Sequence, residues 1–281
     1  MAGFSVPECA CGQGMLLLDD FPTKIRMVRD RIRRAAERVG RDPGAVRLVA
    51  ATKGVEAPRV LDAVHAGLTI CGENRWQEAQ AKMDAVGRHT PGQKPSPPSP
   101  LVKPRGRPGR TGRQGHAGVE WHFIGRLQRR KLRWLVGQFE LIHSVESFEQ
   151  AEEIQRRARE RDMIQAILLE VNVGGEDSKG GFHPDECQEV AWAMDPFSHV
   201  SVRGLMTLPP WHPDPEHIRP YFQRLKRLAD RIATMPLEQV RMDELSMGMS
   251  HDCEIAVEEG ATLVRVGTAI FGARPQPPIA G

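Results

Sequence analysis

The sequence predicts an α/β protein, a single (β/α)8 TIM barrel preceded by one extra N-terminal helix. Three observations carry that prediction. Short apolar strands alternate strictly with helical patterns, and alternation of this kind builds a parallel sheet. The strand–helix units number eight, which closes such a sheet on itself. With residues 88–119 set aside, about 250 residues remain, the usual size of the fold. An open doubly wound sheet is the competing architecture, but its dinucleotide-binding form needs a strand running into G-x-G-x-x-G, and none does so here.

The elements follow in order. Ile25, Val28, Ile32, Ala35, Ala36 and Val39 recur at helical spacing, so 22–39 is expected to be an amphipathic helix closed by Gly40. The first strand, 46–52, is a short β-branched run that ends in Lys53. Pro58 opens a helix with Val60, Leu61 and Val64 on one face, and Gly67 ends it. A second strand at 68–72 leads into Glu73-Asn74 and a helix over 75–86. Strands are then expected at 120–125, 141–145, 166–173, 200–208, 245–247 and 263–266, with helices at 126–137, 148–161, 184–194, 216–234, 253–259 and 268–271 between and after them. Ser147 and Gln150 form a capping box, and Pro209-Pro210 closes the sixth strand.

Residues 88–119 break the pattern. They hold seven prolines, seven Lys or Arg and no acidic residue. Such a segment buries too little surface to offset its ordering entropy, so a disordered basic insertion is expected, looping out of the domain. The expected organisation is a flexible tail at 1–21, a barrel at 22–274 interrupted at 88–119, and a tail at 275–281. The formal charge of +3 comes from the insertion: 39 bases against 36 acids become 32 against 36 without it, a net of −4. The pI is therefore no argument for nucleic-acid binding. No apolar run is long enough to span a bilayer, and the first twenty residues lack the basic start of a secretory leader. Five scattered cysteines suit a reducing, cytoplasmic setting better than a disulfide framework. Cys9 and Cys11 stand alone, and no H-x-x-x-H or paired C-x-x-C appears, so no metal site is expected.

A barrel of this kind builds its site at the carboxyl ends of the strands and often holds phosphate in the loops after the last two. Ser246-Met247-Gly248-Met249-Ser250 and Gly267-Thr268 are suited to that, because glycine permits close backbone approach and the hydroxyls add donors. A lysine delivered by the first strand into a low-dielectric site favours its neutral, nucleophilic form. A phosphate on one side and an amine on the other suggest a phosphorylated carbonyl compound. The bland reading, in which Lys53 is a solvated strand cap and the glycines merely turn, stays open from these residues alone. His122 and His143 near strand ends are expected to be satisfied core histidines.

Ala50-Ala51-Thr52-Lys53, Gly72-Glu73-Asn74, Trp121-His122-Phe123-Ile124-Gly125, Ser178-Lys179-Gly180-Gly181, Arg203-Gly204-Leu205-Met206-Thr207, Leu245-Ser246-Met247-Gly248-Met249-Ser250 and Val264-Arg265-Val266-Gly267-Thr268-Ala269-Ile270-Phe271-Gly272 stand in this order. The set closely resembles the pyridoxal phosphate homeostasis proteins, single-domain relatives of the barrel half of alanine racemase, a fold type III pyridoxal phosphate architecture. The resemblance covers roughly 22 to 274. It implies that Lys53 holds pyridoxal 5′-phosphate (PLP) as a Schiff base, that Met249, Ser250, Gly267 and Thr268 surround the phosphate, and that Arg265 lies near the pyridine nitrogen. It also implies that Asn74 contacts the ring or its hydroxyl and that Lys179 approaches the cofactor. Two features depart from the family: Val55 stands where a second lysine is frequent, and the basic insertion is unusual.

The function implied is a cytoplasmic PLP carrier in vitamin B6 homeostasis, monomeric, with apo PLP-dependent enzymes as expected partners and neither nucleic acid nor membrane. The alternative is a racemase-like PLP enzyme. Racemisation needs an acid–base group on each face of the bound substrate. In alanine racemase the second is a tyrosine from a β-rich domain that the few residues after 274 are not expected to supply. The sole tyrosine, Tyr221, falls in an apolar helical pattern.

Overall fold

The structure is a computed structural model that describes residues 20–89, 110–111, 118–176 and 180–273. Eight strands form the barrel: β1 (Arg47–Ala51), β2 (Ile70–Glu73), β3 (Glu120–Phe123), β4 (Leu141–Val145), β5 (Met163–Glu170), β6 (Val200–Met206), β7 (Val240–Ser246) and β8 (Leu263–Val266). Each pairs in parallel with its sequence neighbours, β1 also pairs with β8, and the β5–β6 ladder belongs to the same closed circuit. A helix precedes β1, and one follows every strand. They are α1 (Phe21–Arg38), α2 (Ala57–His65), α3 (Trp76–His89), α4 (Leu132–Leu135), α5 (Phe148–Glu160), α6 (Cys187–Met194), α7 (Arg219–Ala233), α8 (Cys253–Glu258) and α9 (Thr268–Phe271). The expected barrel and its extra helix are both present.

Period-two alternation explains how the strands fill two spaces at once. Val49, Ile70, Leu141, Leu168, Met206 and Leu263 point inward and pack as an apolar plug inside the barrel. Their alternating neighbours, such as Leu48, Ala50, Cys71, Ile142, Leu169 and Val264, join the larger core between barrel and helices. α1 belongs to that outer layer. Asp20 caps it by accepting from the Thr23 N–H at 3.0 Å, and its stripe of Ile25, Val28, Ile32, Ala35 and Ala36 is buried against the shell formed with α8 and α9. Among the described residues no helix is long and apolar enough to cross a membrane.

The structure moves several expected boundaries. β5 begins three residues earlier than expected and stops at Glu170, with Val171 reduced to an isolated bridge to Phe182. β7 begins at Val240, five residues before the expected strand, because Arg241, Asp243 and Glu244 mask its pattern. The expected helix 126–137 shrinks to a 3-10 turn at Arg129–Lys131 and the single turn of α4. The expected helix 216–234 splits into a 3-10 turn at Pro215–Ile218 and α7, with Pro220 in the first turn of α7 where it is tolerated.

α3 runs on to His89, past the expected start of the insertion, and Arg110–Thr111 pair with Met163 and Ile164 of β5. Residues 90–109 and 112–117 of the insertion, both tails through residue 19 and from 274, and Lys179 lie outside the described residues.

One glycine fixes a local irregularity. Gly204 has φ +152°, and a Cβ there would come 1.8 Å from the Glu244 carbonyl oxygen, so only glycine lets β6 and β7 approach where their register shifts.

Candidate cofactor site at the carboxyl end of the barrel

The strand register brings the expected residues to one face. Val49 pairs with Arg265 and Ala50 with Val266. One step further on, a Cβ at Gly267 would lie 3.2 Å from the Ala51 carbonyl oxygen, which places the β8 turn against the end of β1 and hence next to Lys53. The Gly267 N–H donates to Ser250 Oγ at 3.3 Å, joining the turn after β8 to the loop after β7. Asp252 stiffens that loop by accepting from the Met249 N–H at 2.5 Å. Met249 and Thr268 are exposed, while Lys53, Ser250 and Gly267 are half-buried, so this rim faces a solvent-accessible mouth.

On the other side of β1, Ala51 pairs with Gly72, and Asn74 follows at the end of β2. A Cβ at Gly125 would fall 2.5 Å from the Asn74 backbone, so the tight contact between the ends of β2 and β3 requires glycine there. Asn74 Oδ1 is buried and has no hydrogen-bond partner among the described residues. A buried amide oxygen without a partner marks a place where a ligand donor fits.

Arg265 is 5 % exposed and donates to Ser246 Oγ at 2.5 Å and to the Thr207 carbonyl at 2.9 Å. Burial pushes its guanidinium down to about 10, against the pull of Glu170 and Asp252. It is still a cation at neutral pH and a pure donor. Below it a polar column runs down the barrel interior. Ser246 Oγ lies 2.8 Å from His143 Nδ1, His143 Nε2 lies 2.9 Å from His122 Nδ1, and His122 Nε2 lies 3.5 Å from Glu120. Arg47 closes the column, donating to Glu120 at 3.2 Å and to Glu244 at 2.5 Å.

The partners assign the protons. Glu120, held below the ordinary carboxylate range chiefly by its hydrogen bond from His122, only accepts, so His122 carries its proton on Nε2. His122 Nδ1 then accepts from His143 Nε2–H, and His143 Nδ1 accepts from the Ser246 hydroxyl. Burial lowers the pKa of both histidines, that of His143 strongly, with His122, Arg265 and Arg47 adding repulsion. Both rings are therefore neutral, as expected of satisfied core histidines, and they orient Ser246 beneath Arg265.

Sequence reasoning missed three groups here. Glu170, at the end of β5, is pushed up to about 7 by burial and by the neighbouring Glu146. Ser246 was legible only as part of a phosphate loop, yet it faces inward. Glu73 and Lys82 form a buried ion pair at 2.7 Å on the outer side of β1. A signal for Lys82 exists, since it lies in the buried stripe of Ala79, Met83 and Val86 on α3. A groove of about 530 Å³ lies at the opposite end, between Arg41, Lys226, Glu258 and Thr262. Its charges already pair with one another or with neighbouring groups, as Lys226 does with Asp230 and Glu258 with Arg219.

The family model for the alanine racemase N-terminal domain matches residues 24–275. A pyridoxal phosphate homeostasis protein of Aquifex aeolicus is 39% identical over 251 residues, covering 89% of this chain and 97% of the relative. The chain belongs to the pyridoxal phosphate homeostasis protein family. A similar solved structure is that of PipY of Synechococcus elongatus, with PLP bound. It superposes with a TM-score of 0.70 at 28% identity, over 90% of this chain and all of that one. Alanine racemase of Clostridium difficile shares the fold at 13% identity, with a TM-score of 0.61, and this chain covers 57% of its length. The homeostasis-protein relative is thus matched over nearly its full length, whereas the alanine racemase is matched over little more than half of its length.

Proposed function

We propose that this chain is a PLP carrier that holds the cofactor as a Lys53 Schiff base and takes part in intracellular PLP homeostasis. The observation that carries the reading is the apposition of the β1 end, which bears Lys53, to the Ser250–Gly267 turn. It brings the Lys53-bearing end of β1 beside the turn that this reading assigns to the phosphate. In this reading Ser250, Gly267 and Thr268 hold the phosphate, with Met249 beside it. Arg265 faces the pyridine nitrogen, and Asn74 takes a donor on its unpartnered Oδ1. When bound, PLP supplies an aldehyde carbon to which a lysine amine adds with loss of water. Arg265 holds its proton and donates to Ser246 and Thr207, so it leaves a ring nitrogen unprotonated and dampens electron withdrawal. Such an arrangement stores an aldehyde well and promotes amino-acid chemistry weakly. The name of the Aquifex relative and the bound ligand of PipY support the same reading.

A carrier rather than a racemase is favoured by the place of Tyr221. The only tyrosine of the chain lies on α7, packed against the outer core and not at the mouth. The cytoplasmic setting rests on Cys71, Cys187 and Cys253, which are buried free thiols. A monomer that delivers PLP to apo-enzymes completes the proposal. The test is titration of the purified protein with PLP, followed by racemisation assays on the loaded sample. Imine absorbance without appreciable turnover is expected. Turnover near the enzyme median of about 10 s⁻¹ would overturn the carrier reading.

A further inference from the structure

The backbone on both sides of Lys53 is clamped from outside the barrel. Lys82, on α3 and 4% exposed, donates from Nζ to the Thr52 carbonyl at 2.7 Å and to Glu73 Oε1 at 2.7 Å. Thr52 Oγ1 donates to the same Glu73 oxygen at 2.5 Å. One turn earlier on α3, Glu78 Oε2 accepts from the Gly54 N–H at 3.1 Å and lies 4.0 Å from Lys82 Nζ. The residue before Lys53 and the residue after it are therefore tied to two side chains on one face of the same helix, four positions apart. Gly54 adopts φ +71°, the turn that this grip requires.

The cluster is costly. Glu73 is fully buried, and its Oε2 has no hydrogen-bond partner among the described residues. Burial raises its pKa, with Lys82 and Thr52 opposing. A buried ion pair is weak evidence for stability, because well-packed apolar side chains do as well. What this pair does that apolar residues would not is hold a backbone carbonyl and fix the charges behind one particular amine. Other charged groups near this end of β1 include Arg75, ion-paired to Glu78 at 3.4 Å, and Arg265 on the adjoining β8.

We propose that Glu73, Glu78 and Lys82 are positioning residues for Lys53: they aim its side chain into the mouth and set the charge balance that its amine meets. The inference rests on the reading of Lys53 as the cofactor lysine, and it is tested without cofactor. The apo-protein is labelled with acetic anhydride across a pH series, and acetylation of each lysine is followed by peptide mass mapping. Lys131 and Lys226 serve as remote references. Lys82→Met removes a cation, so Lys53 holds its proton more tightly and labels more slowly, by about threefold or more at a fixed pH. Glu73→Gln removes an anion and shifts Lys53 the opposite way. The double variant Glu73→Gln/Lys82→Met returns the labelling midpoint toward the wild type.

Loosened packing alone would not produce opposite signs in the two single variants. Shifts of the same sign, or none, in variants that keep the wild-type circular dichroism would overturn the proposal. If either single variant fails to fold, Glu78→Gln decides, since its side chain is about a third exposed and the neutral amide can still accept from Gly54. It is expected to speed Lys53 labelling about twofold, and no change would overturn the proposal. PLP titration of the same samples reports on the cofactor reading separately: labelling shifts without PLP binding would uphold the positioning role and reject the cofactor.

Discussion

Two buried polar clusters support the mouth of this barrel, and they are built differently. Inside, the column from Arg265 through Ser246, His143 and His122 to Glu120 and Arg47 places neutral groups in the middle and charges at its ends. Outside, Glu73 and Lys82 form one compact ion pair, with Thr52, the residue before Lys53, donating to Glu73. The inner cluster fixes direction through tautomers and the outer one through charge. A neutral relay holds Arg265 in place without adding a net charge beneath it, while a charged clamp acts on the amine whose protonation matters.

That contrast can be broken at several points. The largest effect is expected for Lys53→Ala, which removes the amine itself. Imine absorbance with PLP is then lost and the melting temperature is kept, whereas full absorbance in this variant would sink the cofactor assignment. Next comes Lys82→Met, which strands Glu73 without its counter-charge. Unfolding by urea should show a loss of about 3–5 kcal/mol, and the double variant with Glu73→Gln should recover most of it. A smaller cost, about 1–3 kcal/mol, is expected when His143→Gln interrupts the inner column, because the partners Ser246 and His122 lose a buried hydrogen bond.

The pH dependence separates the clusters further. Both inner histidines have folded pKa values below the ordinary range, so the unfolded chain takes up protons first as the pH falls. Their share of stability is complete above about pH 6.5 and is lost as the pH drops below that. Glu170 has the opposite sign. With a folded pKa of about 7, its share is complete below the unfolded value and is lost as the pH rises through neutrality. Comparing urea midpoints of the wild type, His143→Gln and Glu170→Gln between pH 5 and 8 isolates each slope. The Glu170→Gln change is expected to be smaller than that of His143→Gln.

The fold was legible because eight apolar strands and their helices survive as pattern even where boundaries slip. β7 was mostly hidden, since it carries Arg241, Asp243 and Glu244, all three serving ion pairs rather than a core. The helix after β3 was overread, because basic residues at helical spacing carry no burial information. At the site, the residues at strand ends were legible: Lys53, Asn74, Ser250, Arg265 and Gly267 all reach the same face. The support behind them was not. Glu73 and Lys82 are nine positions apart on different elements, and only the packing of α3 against β1 and β2 brings them together. His122 and His143 were recognisable as core histidines, but their link to Arg265 depends on barrel closure, which no local pattern encodes.

The most direct test of the central claim is borohydride reduction of the PLP-treated protein, followed by peptide mass mapping. A reduced pyridoxyl adduct on Lys53, absent from Lys82 and the surface lysines, is the result this account predicts. An adduct confined to other lysines, or none after PLP is added in excess, would contradict it and leave a family barrel without the family's cofactor.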